Sequence, residues 1–247
     1  MYRLEGGRVA LRTHDVALMC KLYAAREDLT EALIALARVS KADGWWHAYG
    51  EIVPEWFSLY VGMESTANRI REYETALIPG LLQTPAYAEA VLSSRPGATA
   101  EQVRQSVALR IERQQILARR RPMPPVLELV LEEAVLRRRA PFMPEQLAHL
   151  RNCMSLPRVS LRVVPLTTGP HHANLAGDFS IMEFPTQRGN IPEPTTIYSE
   201  SLTGALYLDK PHEVSTFEDA WNSLTELALT EAESATLIDE LREGPGA

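Results

Sequence analysis

The chain has 247 residues, 45% of them hydrophobic and 23% charged, with 25 Lys and Arg against 32 Asp and Glu for a formal net charge of −7. That composition excludes a disordered chain and leaves room for one large domain, or one with a small appendage. The acidic balance excludes nucleic-acid binding by the whole surface, and two cysteines without a C-x-x-C pair exclude a disulfide scaffold and a cysteine-built zinc site. No apolar run approaches the roughly 18 residues that read as a membrane span, and MYRLEGGRVALR is too short and polar for a signal peptide. The expectation is a cytoplasmic protein without a membrane partner.

In chain order, HDVALMCKLYAA sets Val16, Met19, Cys20 and Tyr23 at helical spacing, and DLTEALIALARVSK repeats the pattern up to Gly44, with Asp28 and Glu31 at capping-box spacing. Three of the four tryptophans, Trp45, Trp46 and Trp56, then follow within twelve positions. Pro54 to Glu74 reads as one helix with Trp56, Tyr60, Met63 and Ile70 on a side. Thr84-Pro85 is an N-cap followed by proline at the first helical position, which predicts a helix to Ser93. Residues 99–121 give a further helix, with Val103, Val107, Ile111 and Gln114 on one side and arginines opposite. After Pro122, Pro124 and Pro125 the period shortens to two, so 126–131 reads as a strand and 132–138 as a place where the chain can turn helical. A helix over 144–154, strands in VSLRVVPL, FSIMEF, TTIYSES and ALYLDKP, and helices over 211–229 and 231–243 complete the order. Helices around a few strands predict an α+β fold, predominantly helical with a small mixed sheet.

Nucleotide, dinucleotide, zinc-protease and serine-hydrolase motifs are all missing, and no metal or cofactor is expected. His171-His172, in the loop between two strands, is the best pair for acid–base chemistry; the plainer use is a polar surface loop. Glu128 is either a cleft carboxylate or, more simply, a solvated one. Tyr198 and Glu200 alternate on one strand and share a face, as lining of a ligand pocket or as the wet side of an edge strand. Trp45, Trp46 and Trp56, with Tyr49 and Tyr60, make a core seam, a dimer interface or a stacking wall. The arginines of 99–121 (Arg104, Arg110, Arg113, Arg119, Arg120, Arg121) and Arg137–Arg139 are the basic clusters, read as solvated helix face and inter-helix ion pairs.

The string Arg3-Leu4-Glu5-x-Gly7-Arg8, followed by Arg12 and a helix, resembles the segment that closes the recognition helix of Xre-type helix-turn-helix regulators. Gly44-Trp45-Trp46, PEWFSLYVGME, Arg71-x-Tyr73-Glu74, PGLLQT at 79–84 and Tyr198-x-Glu200-x-Leu202-Thr203-Gly204 resemble the effector domain of actinobacterial antitoxin-like regulators. The resemblance runs from about residue 3 to residue 240. It implies a remnant of the helix-turn-helix domain over 1–43, an effector- or partner-binding domain over 44–243 and a disordered tail at 244–247. The match starts inside the third helix of a five-helix unit, so DNA is an expected partner only if the missing helices are supplied. Arg3, Arg8 and Arg12 are then left to touch phosphate, which positions without specifying.

The function expected on this basis is effector or partner binding for a transcription regulator, as a homodimer. A small molecule, or a small partner protein encoded nearby, would act at a pocket of Trp45, Trp46, Trp56, Tyr73, Glu74, Gln83, His171, Tyr198 and Glu200. Two alternatives stand beside it: an enzyme of the same fold, with His171 as base and Tyr198 and Glu200 orienting substrate, and a protein-interaction module built on the tryptophans.

Overall fold

Residues Arg69–Glu74 form the strand on which the fold is organised, where the sequence pattern had suggested the end of a long helix. In the computed structural model, which describes residues 13–26, 30, 33, 49, 55–186 and 193–243, helix α2 (Glu55–Thr66) stops and strand β1 (Arg69–Glu74) follows after two residues. Ile70 sits seven residues after Met63 and so keeps helical phase by coincidence. What decides the strand is backbone pairing on both sides, parallel to β2 (Val126–Glu132) and antiparallel to β4 (Phe179–Glu183).

The chain divides into two compact units, Met1–Ala48 with Thr186–Pro192, and Tyr49–Pro185 with Glu193–Ala247. In the first, helix α1 (Thr13–Leu22) buries Val16 and Cys20, against which Ala25 packs. The second helix predicted there, from Asp28, lies largely outside the described residues.

The second unit is α+β. Among the described residues its sheet has six strands in the order β3-β2-β1-β4-β5-β6, with β3 (Val159–Val164), β5 (Thr196–Ser201) and β6 (Gly204–Leu208). β1, β2 and β3 run parallel, while β4, β5 and β6 continue from β1 as an antiparallel meander. Between β1 and β2 come α3 (Pro85–Ser93) and α4 (Ala100–Arg113); between β2 and β3 come α5 (Glu133–Leu136) and α6 (Met143–Cys153). The chain closes with α7 (Pro211–Leu227) and α8 (Glu231–Glu243).

Thr84 caps α3 as the sequence predicts, its hydroxyl accepting from the Tyr87 amide, and Thr230 and Glu233 cap α8 reciprocally. Helix α4 ends eight residues earlier than expected. Its last turn tightens into a 3-10 segment over Gln114–Leu117, which frees the chain to turn towards β2.

Strand alternation gives the sheet two distinct faces. On one, Ile70, Leu127, Leu129, Leu131, Leu161 and Val163 pack under α3, α6 and α8 through Tyr87, Leu147, Leu150 and Ile238. On the other, Tyr73, Val130, Val164, Phe179, Ile181 and Ile197 meet Val214, Ala220, Trp221 and Leu224 of α7. The first face is apolar only over its β1–β3 half. Towards β5 and β6 it becomes polar, and that half holds the candidate site. Among the described residues no helix is long and apolar enough to cross a membrane.

Candidate functional site: a buried carboxylate–tyrosine cluster

The alternation that sends Ile70 into the core sends Glu72 and Glu74 to the same side. Glu72 is 3% exposed and accepts from the Tyr60 hydroxyl at 3.1 Å and the Ser180 hydroxyl at 3.4 Å, the latter from its register partner on β4. Tyr60 comes from α2, one turn before Glu64. Glu64 in turn takes a two-pronged ion pair from Arg113 of α4, Nε to Oε2 at 2.9 Å and Nη2 to Oε1 at 2.6 Å. The guanidinium carbon of Arg113 stands 5.0 Å from the Phe57 ring centroid and 5.3 Å from that of Tyr60, so its faces are covered by aromatic carbon. Two carboxylates therefore crowd one arginine away from water. Burial, then the Glu64 charge, pushes the Glu72 carboxyl up to about 7, against the Tyr60 hydrogen bond and Arg113.

Glu74 lies one strand step further along and differs in having no partner. Among the described residues it makes neither a hydrogen bond nor an ion pair. Burial raises its carboxyl well above the ordinary range, and the charges of Asp178, Glu72 and Glu200 raise it further while Arg110 opposes them. Arg110 gives its Nη1 to Gln83 Oε1 at 2.6 Å, a neutral acceptor. Burial, then the Arg113 charge, lowers its guanidinium to about 10. The turn over Gly80–Leu82 sets this arrangement: Gln114 of the 3-10 segment after α4 bonds the carbonyls of Gly80 and Gln83, and Gln83 bonds the Ile78 carbonyl. A Cβ on Gly80 would stand 3.5 Å from Arg113 Nη1 and 3.8 Å from Arg110 Nε, so the turn rests on both guanidiniums. The PGLLQT string is thus the device that fixes the arginines of α4.

β5 and β6 supply an aromatic wall. Tyr198 lies across from Ser180 in register, packs its ring 4.3 Å from Tyr60 and 5.2 Å from Tyr207, and donates to Glu200 Oε2 at 2.7 Å. Tyr207 donates to the Trp56 carbonyl at 2.5 Å. Burial, then the Glu200 bond, holds the Tyr198 hydroxyl far above its usual range, so it stays a donor. Exposure is graded: Glu200 is exposed, Glu74 and Arg110 are half-buried, and Glu72, Glu64 and Arg113 are buried. Exposure thus falls from Glu200 on β5 through Glu74 and Arg110 to Glu72 on β1.

Of the residues anticipated from sequence, Trp56, Glu74, Gln83, Tyr198 and Glu200 come together on this side. Tyr73 and His171 do not; they belong to the opposite face of the sheet. There Glu132 Oε1 accepts from the Tyr73 hydroxyl at 2.6 Å and from His171 Nε2 at 2.9 Å, with Asn174 donating to Tyr73 at 2.9 Å. The expected trio of His171 with Tyr198 and Glu200 is not assembled, because β1 turns Tyr73 and its partners away from Glu74. Nor is His171 a residue of a wet loop: its side chain is 7% exposed, with Nδ1 buried and unbonded. Arg113, read as part of a solvated helix face, is 5% exposed. Glu128, read as solvated, is half-buried and bonds Arg69 at 2.6 Å. Trp45, Trp46, Arg3, Arg8 and Arg12 lie outside the described residues.

Sequence reasoning named Tyr60 only as part of the aromatic seam and missed Glu64, Glu72, Arg110, Arg113 and Asp178 as site residues. Glu72 and Glu74 at period two were a usable signal, since paired carboxylates inside a strand are costly unless they serve a site. Among the described residues no group of three or more His, Cys, Asp or Glu is arranged to hold a metal ion.

Comparison with known proteins gives one result on family and none on activity. No curated protein matches the chain. A family model described as "Domain of unknown function (DUF5753)" matches residues 57–240, from the third residue of α2 into α8. The match covers Arg110 and Arg113 of α4, all six strands of the sheet and the cluster's carboxylates and tyrosines, and the chain belongs to the DUF5753 family.

Proposed function

We propose that this domain is the effector-binding part of an Xre-type, antitoxin-like transcription regulator of actinobacterial kind, and that its effector is an organic cation held at the carboxylate–tyrosine cluster. The regulator half of the reading rests on the resemblance of Arg3–Arg8 and PGLLQT to such proteins. The effector half rests on one observation: Glu74 is half-buried, makes no hydrogen bond or ion pair among the described residues, and stands among three further acids.

Charge arithmetic favours a cation. Arg113 is matched by Glu64 and Arg110 donates to a neutral amide, which leaves Glu72, Glu74, Asp178 and Glu200 against two guanidiniums without an ion pair among the described residues, Arg110 and the nearby Arg95. An ammonium group would supply Glu74 with the donors it lacks, and the rings of Tyr198 and Tyr207 suit the carbon beside it. For regulation, occupancy must favour one of two arrangements of the protein, and the strength of control equals the difference in affinity between them.

The test is thermal stability of the purified chain against primary amines and against carboxylates of matched size, with native mass spectrometry for a co-purified molecule. Amines are expected to raise the melting temperature, carboxylates to leave it unchanged, and Glu74→Gln to abolish the amine response. A response to carboxylates alone, or one that survives Glu74→Gln, would refute the reading.

A further inference from the structure

A second concavity lies away from the cluster, between the α5–α6 connection and α8. It has a volume of about 780 Å3. Its floor is aliphatic, from Leu136, Met143 and Leu147 on one side and Leu237 and Leu241 on the other. Arg137, Arg138, Arg139 and Glu240 line it as well. Arg137 is engaged by Glu133, whereas Arg138 and Arg139 are exposed and make no hydrogen bond or ion pair among the described residues. In a chain of net charge −7 this run is a local reversal of sign, and Glu240 offsets only one of its two unpaired charges.

We infer that this groove binds a small amphiphilic anion, a free medium-chain acyl carboxylate, with its chain on the leucine floor and its head at Arg138 and Arg139. Volume argues for a small molecule over a docked helix, since ligand pockets run from about 300 to 1,000 Å3. The chemistry of the floor argues for a flexible chain over a ring system. It presents leucine and methionine carbon with no aromatic face to stack on, and methionine adapts to irregular aliphatic shapes. Guanidinium is the side chain best matched to a carboxylate head, which it can take with two parallel bonds.

Isothermal titration calorimetry with dodecanoate, dodecanol and dodecylamine, each below its micelle concentration, tests this. Dodecanoate is expected to bind saturably at one per chain, and dodecylamine at least about tenfold more weakly. Arg138→Glu with Arg139→Glu should cost dodecanoate about tenfold or more and reverse the preference for acid over amine. Leu241→Trp, which puts a large ring at a half-buried lining position, should block all three. Arg104→Glu, an exposed charge change on α4, should leave binding as it was. Equal binding of acid and amine, indifference to the Arg138/Arg139 reversal, or no saturable binding would each overturn the proposal. So would saturable binding of an acidic amphipathic peptide with none of dodecanoate.

Discussion

Arg113 and Glu64 form a two-pronged ion pair with exposures of 5% and 1%, joining α4 to α2 across the polar half of the sheet. Removing a charge from water is costly, and here the cost is met by geometry, with Nε and Nη2 of the guanidinium on the two carboxylate oxygens and both ring contacts in place. Burial alone would pull the Arg113 guanidinium down, but the Glu64 charge and hydrogen bonds hold it above its ordinary value. Glu64→Gln strands a buried cation beside a neutral amide and should destabilise the domain by about 3–5 kcal/mol. Glu64→Leu combined with Arg113→Met removes both charges and should cost less than either single change. Urea unfolding of Glu64→Gln, Glu64→Leu, Arg113→Met and the double variant checks this, and additive losses in the last three would show that the pair is not coupled.

Stability should fall as the pH rises from about 4.5 to 7. The Glu72 carboxyl titrates at about 7 in the folded chain, above the 4.5 of the unfolded one. A group whose folded value is raised contributes fully below the unfolded value and loses that contribution as pH climbs through the folded one, so the window is about pH 4.5 to 7. Each unit is worth about 1.4 kcal/mol, so the slope integrates to roughly 3 kcal/mol. Glu74, also raised, adds to the same sign. Glu72→Gln should flatten the profile across that window and be more stable than the parent above it, because the amide oxygen still accepts from Tyr60. Melting temperatures from pH 4 to 8.5 measure it; a Glu72→Gln profile parallel to the parent would contradict the assignment.

The reach of the sequence can be judged at these same residues. Elements with capping chemistry were legible: Thr84 before Pro85, and Thr230 with Glu233, mark helix starts through local bonds written in adjacent residues. The four strands after Leu156 were legible because one of their faces is apolar and alternation shows it. β1 was hidden because RIREYE buries charges, and a pattern search keyed to apolar residues passes over a strand whose inward set is Ile70, Glu72 and Glu74. The pairing of Glu64 with Arg113 spans 49 positions and leaves no local trace. The Tyr198–Glu200 pair was legible through alternation, and the same rule separates Tyr73 from Glu74, which adjacency alone had placed together.

Cys153 should be inert as a nucleophile. Burial at the end of α6 pushes its thiol up to about 11, and its sulfur lies 3.5 Å from His149 Nε2, a ring whose protonation burial also disfavours. At pH 8 the thiolate fraction is on the order of one in a thousand. Iodoacetamide labelling followed by peptide mass spectrometry should find Cys153 unmodified in the native protein and fully modified in urea. Native labelling at the urea rate would show that the α6 terminus opens freely.

His171 should act as a clamp on the loop before β4. Glu132 Oε1 meets both the Tyr73 hydroxyl and His171 Nε2, while His171 Nδ1 is buried with no hydrogen-bond partner among the described residues. Asn174 closes the arrangement, taking the His171 amide at 3.0 Å and donating to Tyr73. A base needs access to the proton it removes, and this nitrogen has none; a fastener needs only its bonds. His171→Ala should therefore leave the sheet intact and raise hydrogen exchange over residues 172–176, with a loss of about 1.5–3 kcal/mol in local opening free energy, the range for a hydrogen bond to a charged group. Glu132→Gln should loosen the same segment, and Tyr73→Phe should do so less, since it leaves the His171–Glu132 bond in place. If amine binding at the Glu74 cluster changes in His171→Ala while exchange over 172–176 does not, the two faces of β1 are coupled by some route other than this loop.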